Sequence, residues 1–320
     1  MVEKKQITLW QDGEYDYPMA QGFVPNIMAY LHKADPENIR PCVIVVPGGA
    51  YCFISPSEGE LPAKKFFEFG YNTFVLTYTV NPVYAYPLND QPMKDLSRAI
   101  RYVRANHEAL GIDPDKVAVC GFSAGGHLCG SVCVHHGNVS DANPIYRDIS
   151  NKPDAAILSY PVITAGEYSH QGSFDALLGF NAPKELREYY SLERQVNKDV
   201  PPCFLWQTAT DETVPVENSY LFAKALREQG IPCSHHVFSE GKHGLSTADE
   251  AFGRSEFGEM YTIIQTLRVT EAIRNGTVQV PDKVREMMEY WEEQGIPKIE
   301  ANEEVAIWTE MVRVWLAKYM

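Results

Sequence analysis

The sequence predicts an α/β fold with a mostly parallel central sheet of about eight strands and helices on both faces. From about residue 40 to residue 245, short apolar runs alternate with longer amphipathic segments, which is typical of a parallel sheet covered by helices. The apolar runs are rich in β-branched and aromatic residues, as buried parallel strands are. The chain has 320 residues, of which 45% are hydrophobic, so it can bury a large core.

Eight segments are expected to form the sheet. Two early segments, QITLW and NIMAYLH, are expected to add antiparallel edge strands. Six later runs have the continuous apolar character of buried parallel strands. They are CVIVV (42–46), TFVLTYT (73–79), VAVC (117–120), AAILSY (155–160), CFLWQTA (203–209) and CSHHVFS (233–239).

Helical patterns lie between these strands: LPAKKFFEFG, MKDLSRAIRYVRANHEALG, SAGGHLCGSVCVHH and ENSYLFAKALREQG. The second has apolar residues along one side and is expected to cover the sheet. The less regular segment 140–200 could be either a cap over the sheet or an ordinary surface excursion. We expect one domain over 1–320, in which residues 249–300 form a helical insertion before the last helix. Pro281 and Gly295 bracket the middle helix of the C-terminal region.

The composition restricts the function classes. The net charge is −14, so a nucleic acid or an anionic membrane would be repelled, and a neutral or cationic ligand fits better. The N-terminus lacks an apolar segment of signal-peptide length, and no later segment approaches a membrane span, so we expect a cytoplasmic protein. The seven cysteines are odd in number and favour buried free thiols over disulfides. Cys129 and Cys133 would share a helix face, but no second His or Cys pair completes a zinc spacing, and we expect no metal.

The segment GFSAG fits the pattern GxSxG between a predicted strand, VAVC, and a predicted helix. A strand that runs directly into a helix leaves the serine on a strained turn, and glycine two residues to either side lets the backbone make that turn. Ser123, between Gly121 and Gly125, is therefore a candidate nucleophile. The alternative is a small-residue packing turn with no chemistry.

A serine nucleophile needs an imidazole base and a carboxylate that orients the imidazole. Asp211 follows the predicted strand CFLWQTA, and His243 lies in a glycine-flanked loop after CSHHVFS. Both follow strands that come later in the chain than the strand before Ser123, in the order Ser, Asp, His.

Other acids and histidines compete for these roles. Glu212 is adjacent to Asp211, and Glu240 and Asp249 are weaker alternatives. The other histidines are expected to have different roles. His127, on the predicted helix after the serine, is expected to be a packing or supporting residue, His135 and His136 to cap a helix end as charged imidazoles, and His235 and His236 to lie in a strand.

The reaction of such a serine also needs backbone N–H donors for an oxyanion. One is expected at Ala124, the residue after the nucleophile at the start of a helix. The other is expected in the loop PGGAY after the strand CVIVV, where consecutive glycines allow close approach. Gly49 and Ala50 are the candidate donors, although PGG could also be a plain turn.

These motifs resemble the α/β-hydrolase family, in its esterase and lipase branch with an HGGG-type oxyanion loop. The resemblance is strongest to the acetyl-xylan esterase-like group of bacterial carbohydrate esterases. It is carried by VVPGGAYCFISPSEGE, YNTFVLTYTV, the run from YPLNDQPMKD to GFSAGGHL, TATDETVPVENS and GKHGLS, with VAIWTEMVRVWL closing the fold.

The resemblance implies that Ser123 is the nucleophile, His243 the base and Asp211 its orienter. It implies oxyanion donors at Gly49, Ala50 and Ala124, and an O-acetylated sugar, such as a xylo-oligosaccharide, as substrate. No cofactor is expected. Substrate contacts are suggested for Tyr51, Glu58 and Tyr84, and side-chain size suggests that Phe122 and Tyr51 narrow the acyl pocket.

The sequence departs from this family at two places. Pro47 and Ala50 stand where relatives have histidine and a third glycine. The insertion at 249–300 could be a lid, a wall of the substrate cleft or a dimer arm, which leaves a homo-oligomer open.

The expected function is therefore a serine esterase that removes acetyl groups from short xylan-derived oligosaccharides. One alternative is a general carboxylesterase or feruloyl esterase, in which the aromatic-rich segment 160–190 binds a larger acyl group. An alternative of another class is a catalytically silent binding or assembly protein, in which the insertion supplies the interface.

Overall fold

A computed structural model describes residues 3–33, 35, 37–294 and 299–320. These residues form one sheet from β1 (Glu3–Thr8), β2 (Asn26–Leu31), β3 (Arg40–Val46), β4 (Asn72–Thr77), β5 (Ile112–Phe122), β6 (Ala155–Ser159), β7 (Cys203–Thr208) and β8 (Cys233–Phe238). Its eight strands lie in the order β1-β2-β4-β3-β5-β6-β7-β8. The predicted mostly parallel sheet of an α/β-hydrolase fold is confirmed.

The two early strands are antiparallel to their neighbours, whereas β3 to β8 pair in parallel. Of these two strands, β1 lies at an edge of the sheet, whereas β2 lies between β1 and β4. The prediction that both would be edge strands was therefore wrong for β2. The reason is the burial of β2: all six of its residues are buried, while five of the six in β1 are exposed.

The helices are α1 (Glu60–Glu68), α2 (Gln91–Ala105), α3 (His107–Leu110), α4 (Ala124–His135), α5 (Gln171–Leu178), α6 (Lys184–Tyr189), α7 (Glu217–Glu228), α8 (Glu250–Gly253), α9 (Ile264–Arg274), α10 (Asp282–Gln294), α11 (Glu303–Ala306) and α12 (Trp308–Tyr319). Short 3-10 turns lie at Pro56–Glu58, His136–Asn138, Leu192–Arg194 and Tyr261–Ile263. In the part of the chain that the structure describes, no helix is both long and apolar enough to cross a lipid bilayer.

Helices cover both faces of the sheet. Apolar residues of α2, α4, α7 and α9 pack on one face. On the other face, α1 and α12 pack through residues such as Phe66 and Trp308. The Trp308 indole stacks on Trp206 of β7 with ring centroids 5.2 Å apart, and its Nε1 donates to the carbonyl of Ser246 at 2.9 Å. The last helix is thus fixed to the loop that follows β8.

The first part of the 249–300 insertion packs on loops at the carboxyl ends of the strands. Gln265 accepts from the backbone N–H of Val80 at 2.9 Å and donates to its carbonyl at 2.8 Å. Thr262 donates to the carbonyl of Ile54 at 3.0 Å. Gly295, the predicted residue beyond the end of α10, lies outside the described residues. The division of the chain into a single domain with an insertion stays a prediction.

The seven cysteines are free thiols, as the sequence predicts. Five are buried: Cys42, Cys120, Cys129, Cys133 and Cys203. Burial raises the pKa of each of these thiols, because the charged thiolate loses its hydration. They contribute to the core as small apolar side chains.

Candidate active site

Ser123 lies on a tight turn between β5 and α4. Its φ of 52° and ψ of −119° are strained values for a residue with a side chain. A Cβ at Gly121 would collide with the carbonyl of Gly125, and a Cβ at Gly125 would collide with the carbonyls of Val46 and Pro47. Both glycines of GxSxG are therefore required by close packing around the serine.

Hydrogen bonds hold this strained turn. The N–H of Ser123 donates to the carbonyl of Ser159 at 3.0 Å. The carbonyl of Ser123 accepts hydrogen bonds from the backbone N–H groups of His127 at 3.1 Å and Val162 at 3.2 Å. Strain of this kind costs about 1–3 kcal/mol and persists only where its surroundings fix it. The serine hydroxyl is thereby held at the carboxyl edge of the sheet.

Ser123, His243 and Asp211 form a continuous hydrogen-bonded chain. The Ser123 Oγ lies 2.8 Å from His243 Nε2, and His243 Nδ1 lies 2.7 Å from Asp211 Oδ2. The carboxylate only accepts, so Nδ1 carries the proton and Nε2 is free to accept from the serine hydroxyl. The structure brings together all three residues that the sequence reasoning assigned to a triad.

The Asp211 carboxylate is buried, and the backbone around it fixes its orientation. Oδ1 accepts from the N–H groups of Thr213 at 3.0 Å and Val214 at 2.9 Å. Oδ2 is left to face His243. The three competing acids lie elsewhere: Glu212 and Glu240 are exposed, and Asp249 caps α8 by accepting from Phe252 at 3.1 Å.

The His243 ring packs edge-on against Tyr160, with ring centroids 4.9 Å apart. Its loop is held to the end of β7, since Thr208 donates to the carbonyl of Gly241 at 2.9 Å. The imidazole is therefore fixed by a tyrosine on one side and by Asp211 at Nδ1, and it is only 16% exposed.

The other histidines have structural partners. His127 is buried between the hydroxyl of Tyr51, 2.8 Å from Nδ1, and the carbonyl of Tyr190, 2.9 Å from Nε2, and burial lowers its pKa to about 4. His135 stacks on Tyr189, and burial lowers its pKa and that of His136. Both lie at the end of α4 as predicted, with His135 its last residue and His136 its C-cap, but burial favours the neutral imidazoles over the charged forms that the prediction assumed. His235 and His236 lie in β8 as predicted.

The loop after β3 passes directly against Ser123. A Cβ at Gly48 would approach the Cβ of Ser123 to 2.8 Å. Gly49 and Ala50 have φ of 122° and 55°, so the alanine that replaces a third glycine takes a left-handed conformation. Within the described ranges, no hydrogen-bond partner occupies the N–H groups of Gly49, Ala50 or Ala124. Three backbone donors thus remain available beside the serine.

Three of the four suggested substrate contacts are buried. Tyr51, Phe122 and Glu58 are 1%, 0% and 3% exposed. Phe122 packs on Trp308 at a centroid distance of 6.0 Å, on the opposite face of the sheet from α4. The expectation that these side chains contact substrate is corrected, because they are buried and pack against protein groups behind the site. Tyr84 is only half-buried.

Tyr84 lines a groove of about 890 Å³. Its ring stacks on Phe180 with centroids 5.5 Å apart. Part of the insertion, residues 278–284, forms one wall of the groove. The lining residues are Pro18, Met19, Gln21, Val83, Tyr84, Ala85, Tyr86, Phe180, Val278, Gln279, Val280, Pro281, Lys283 and Val284.

Two residues of the site were missed by the sequence reasoning. Tyr160 follows β6 and contacts His243. The other is His170: burial, and to a smaller extent His243, lower the pKa of its imidazole, whereas Asp211 raises it, and its Nδ1 lies 2.8 Å from the Ser173 hydroxyl. The position of Tyr160 directly after a central strand was the available signal, since Asp211 and His243 were found by that rule.

The chain is similar to known esterases and hydrolases. Residues 28–226 match the BD-FAE family. The chain is 48% identical over 272 residues to endo-1,4-beta-xylanase B of Butyrivibrio fibrisolvens, covering 85% of this chain and 42% of that protein. It is 31% identical over 219 residues to an acetylxylan esterase of Xylanibacter ruminicola, covering 66% and 42%. The chain therefore spans less than half the length of these two relatives.

One solved structure is similar to this chain over nearly the whole length of the solved protein. It is an acetyl ester-xyloside bifunctional hydrolase from Caldicellulosiruptor lactoaceticus, at 37% identity and a TM-score of 0.71. The match covers 86% of this chain and 97% of that one.

Proposed function

The chain belongs to the BD-FAE family of α/β-hydrolase esterases, and from that premise we propose that it removes acetyl groups from O-acetylated xylo-oligosaccharides through an acyl-enzyme. The observation that carries the proposal is the hydrogen-bonded chain from Ser123 through His243 to Asp211. A serine hydroxyl that donates to an imidazole oriented by a carboxylate is the arrangement that activates serine for acyl transfer.

In the first half of the reaction, Ser123 Oγ attacks the acetyl carbonyl carbon. His243 Nε2 accepts the hydroxyl proton, and Asp211 stabilises the imidazolium that forms. The imidazolium then donates this proton to the sugar oxygen as the C–O bond breaks. The products are a free sugar hydroxyl and an acetyl ester of Ser123.

The carbonyl oxygen becomes negatively charged in the tetrahedral intermediate. We assign the unoccupied N–H groups of Gly49, Ala50 and Ala124 to this oxygen. Preorganised donors of this kind are worth about 3–4 kcal/mol each in acyl transfer. The second half of the reaction repeats the proton path with water: His243 deprotonates the water, and acetate leaves Ser123.

The names of two relatives support an acetylated xylan fragment as substrate. They are an acetylxylan esterase and an acetyl ester-xyloside bifunctional hydrolase. A neutral oligosaccharide also suits a chain whose net charge is −14. We assign the groove beside Tyr84 to the sugar chain: Ser123, Asp211 and His243 do not line it, but it offers aromatic surface, and its 890 Å³ lies within the range of about 300–1,000 Å³ found for ligand sites.

A general carboxylesterase or a feruloyl esterase is the second candidate. The observation that favours it is the apolar and aromatic lining of the same groove, which could take a large acyl group. Cleavage of the xylan backbone itself, suggested by the name of the 48% identical relative, would need two facing carboxyl groups at the cleaved bond. The groups assembled here are a serine, an imidazole and one carboxylate.

A substrate panel tests the proposed function. We expect kcat/KM to be highest for acetylated xylo-oligosaccharides and acetyl esters, lower for long-chain nitrophenyl esters and lower still for feruloyl esters. Deacetylation is followed by mass spectrometry, and backbone cleavage by release of reducing ends. A preference for feruloyl or long-chain esters would replace the acetyl assignment, and absence of all ester hydrolysis would favour a binding protein.

Substitution of Phe180 by alanine tests the role of the groove. The side chain is 65% exposed and stacks on Tyr84, so its loss should leave the fold intact but remove part of the aromatic surface. We expect KM for acetylated xylo-oligosaccharides to rise by about 3–10-fold, with kcat/KM for p-nitrophenyl acetate unchanged.

The matched control for the groove is Ile145→Ala, at a side chain that is 60% exposed and outside the groove. This variant should not change either substrate's kinetics. An equal effect of both variants, or no effect of Phe180→Ala on the oligosaccharide, would remove the groove from the substrate site.

A further inference from the structure

A buried carboxylate lies directly beneath the loop after β3. Glu58 Oε2 accepts from the N–H of Gly48 at 2.7 Å, and the side chain is 3% exposed. This N–H belongs to the Pro47–Gly48 peptide group, which directly precedes the two peptide groups whose N–H atoms, at Gly49 and Ala50, we assign to the oxyanion. The carboxylate therefore fixes the orientation of the backbone from which those donors project.

The second oxygen of Glu58 connects to the His243 loop. Oε1 accepts from the hydroxyl of Tyr160 at 2.7 Å, and the same hydroxyl accepts from the N–H of Ser246 at 2.9 Å. The Tyr160 ring in turn packs on His243. One carboxylate and one tyrosine thus join the two loops that carry the proposed oxyanion donors and the proposed base.

The backbone of Tyr160 indicates that this connection is imposed on the fold. Its φ of 36° is unfavourable for an aromatic residue, and such strain persists where the surroundings over-determine it. Here Tyr160 is held through its N–H, which donates to the carbonyl of Trp206 at 2.7 Å, and through its hydroxyl.

Burial and hydrogen bonding act in opposite directions on the pKa of the Glu58 carboxyl. Both of its recorded contacts are donors, which favour the carboxylate, whereas burial raises its pKa. The titratable groups that face it are Tyr160, Tyr78, Cys120 and His243. Burial raises the pKa of the two tyrosines and the cysteine, so they stay neutral. Only His243 gains positive charge during the proposed reaction.

We propose that Glu58 is a positioning residue of this site, which holds the oxyanion loop through Gly48 and the His243 loop through Tyr160. It touches neither substrate nor the reacting atoms. The inference rests on the proposed esterase function and adds to it the pair Glu58 and Tyr160 as the structural link between base and oxyanion donors.

Two variants test this link. Glu58→Gln keeps the shape but turns an NH₂ group toward either Gly48 or Tyr160, both of which are donors. Tyr160→Phe removes one hydroxyl. For each we expect kcat on p-nitrophenyl acetate to fall by about 10–100-fold, with KM changed less than about 3-fold. Affinity for a boronic acid that mimics the tetrahedral intermediate should fall by a similar factor. The double variant should be no worse than about the poorer single variant, since the two residues act as a unit.

Asp95→Asn is the matched control. Asp95 is also a fully buried carboxylate, and it accepts from Thr79, Gln91 and Trp10. This variant should lower Tm without lowering kcat. Folded Glu58→Gln with wild-type kcat, or with reduced kcat but unchanged boronic acid affinity, would overturn the positioning role. If Glu58→Gln does not fold, the same two readouts on Tyr160→Phe decide. A wild-type protein without ester hydrolysis would overturn the proposed function and this inference with it.

Discussion

Replacement of Ser123 by alanine is expected to lower kcat for acetyl ester hydrolysis by about 10⁶-fold, a loss of the size seen when a serine nucleophile is removed from an acyl-transfer enzyme. The substitution removes only the hydroxyl group, whose Oγ lies 2.8 Å from His243 Nε2. Without it, no acyl-enzyme forms, and the remaining backbone donors provide only weak assistance to direct attack by water. The measurement is steady-state hydrolysis of p-nitrophenyl acetate and of acetylated xylo-oligosaccharides.

Ser131→Ala is the control for this substitution. Ser131 lies on α4, the helix that follows Ser123, and is 1% exposed, but its hydroxyl faces His127. Its loss should leave kcat within about 2-fold of the wild-type value, since a structural hydroxyl affects stability before it affects rate. A Ser123→Ala protein that keeps more than about one hundredth of the wild-type kcat would contradict the nucleophile assignment.

Replacement of Asp211 by asparagine is expected to lower kcat by about 10⁴-fold. The N–H groups of Thr213 and Val214 need an acceptor, so the amide oxygen should remain with them. The NH₂ group would then face His243 Nδ1, and the proton would have to move to Nε2. The imidazole would present a donor to Ser123 and could no longer accept its proton.

Glu212→Gln is the matched control, because Glu212 is the neighbouring acid and is exposed. This substitution should change kcat by less than about 2-fold. If Glu212 were the acid that orients His243, loss of its carboxylate would instead lower kcat strongly. Equal losses in the two variants, or a larger loss for Glu212→Gln, would move the acid role away from Asp211. The comparison is made from kcat values with p-nitrophenyl acetate, with circular dichroism to confirm folding.

The positions of site residues that directly follow the ends of strands could be predicted from the sequence. Parallel strands deliver their next residues to one edge of the sheet, so Ser123, Asp211 and His243 could be brought together from strand order alone. The same rule placed the PGGA loop beside them. Local chemistry sufficed here because each position is set by a short segment directly after a buried strand.

Three of the four suggested substrate contacts were wrong for a physical reason: the side chains are buried. Phe122 is adjacent to Ser123, but successive residues of a strand point to opposite faces, and its ring packs against Trp308. Tyr51 points inward to His127 and Glu58 to Gly48 and Tyr160. Proximity in sequence to the reacting serine did not fix the direction of these side chains.

Contacts between residues far apart in the chain could not be predicted from the sequence. Glu58 and Tyr160 are 102 residues apart, and neither belongs to a sequence motif that predicts contact with the other. The groove combines segments around residues 18–21, 83–86 and 278–284. No periodicity or turn signal relates such segments, because their contact depends on how the insertion packs against the loops of the sheet.

The most direct test of the central claim is to identify the residue that becomes acetylated. The wild-type protein is mixed rapidly with p-nitrophenyl acetate, quenched in acid and digested, and its peptides are examined by mass spectrometry. We expect one acetyl group per active protein, on the peptide that contains Ser123, at a level equal to the initial burst of p-nitrophenol. A burst with the acetyl group on another residue, or with no covalent acetyl on Ser123, would contradict the account.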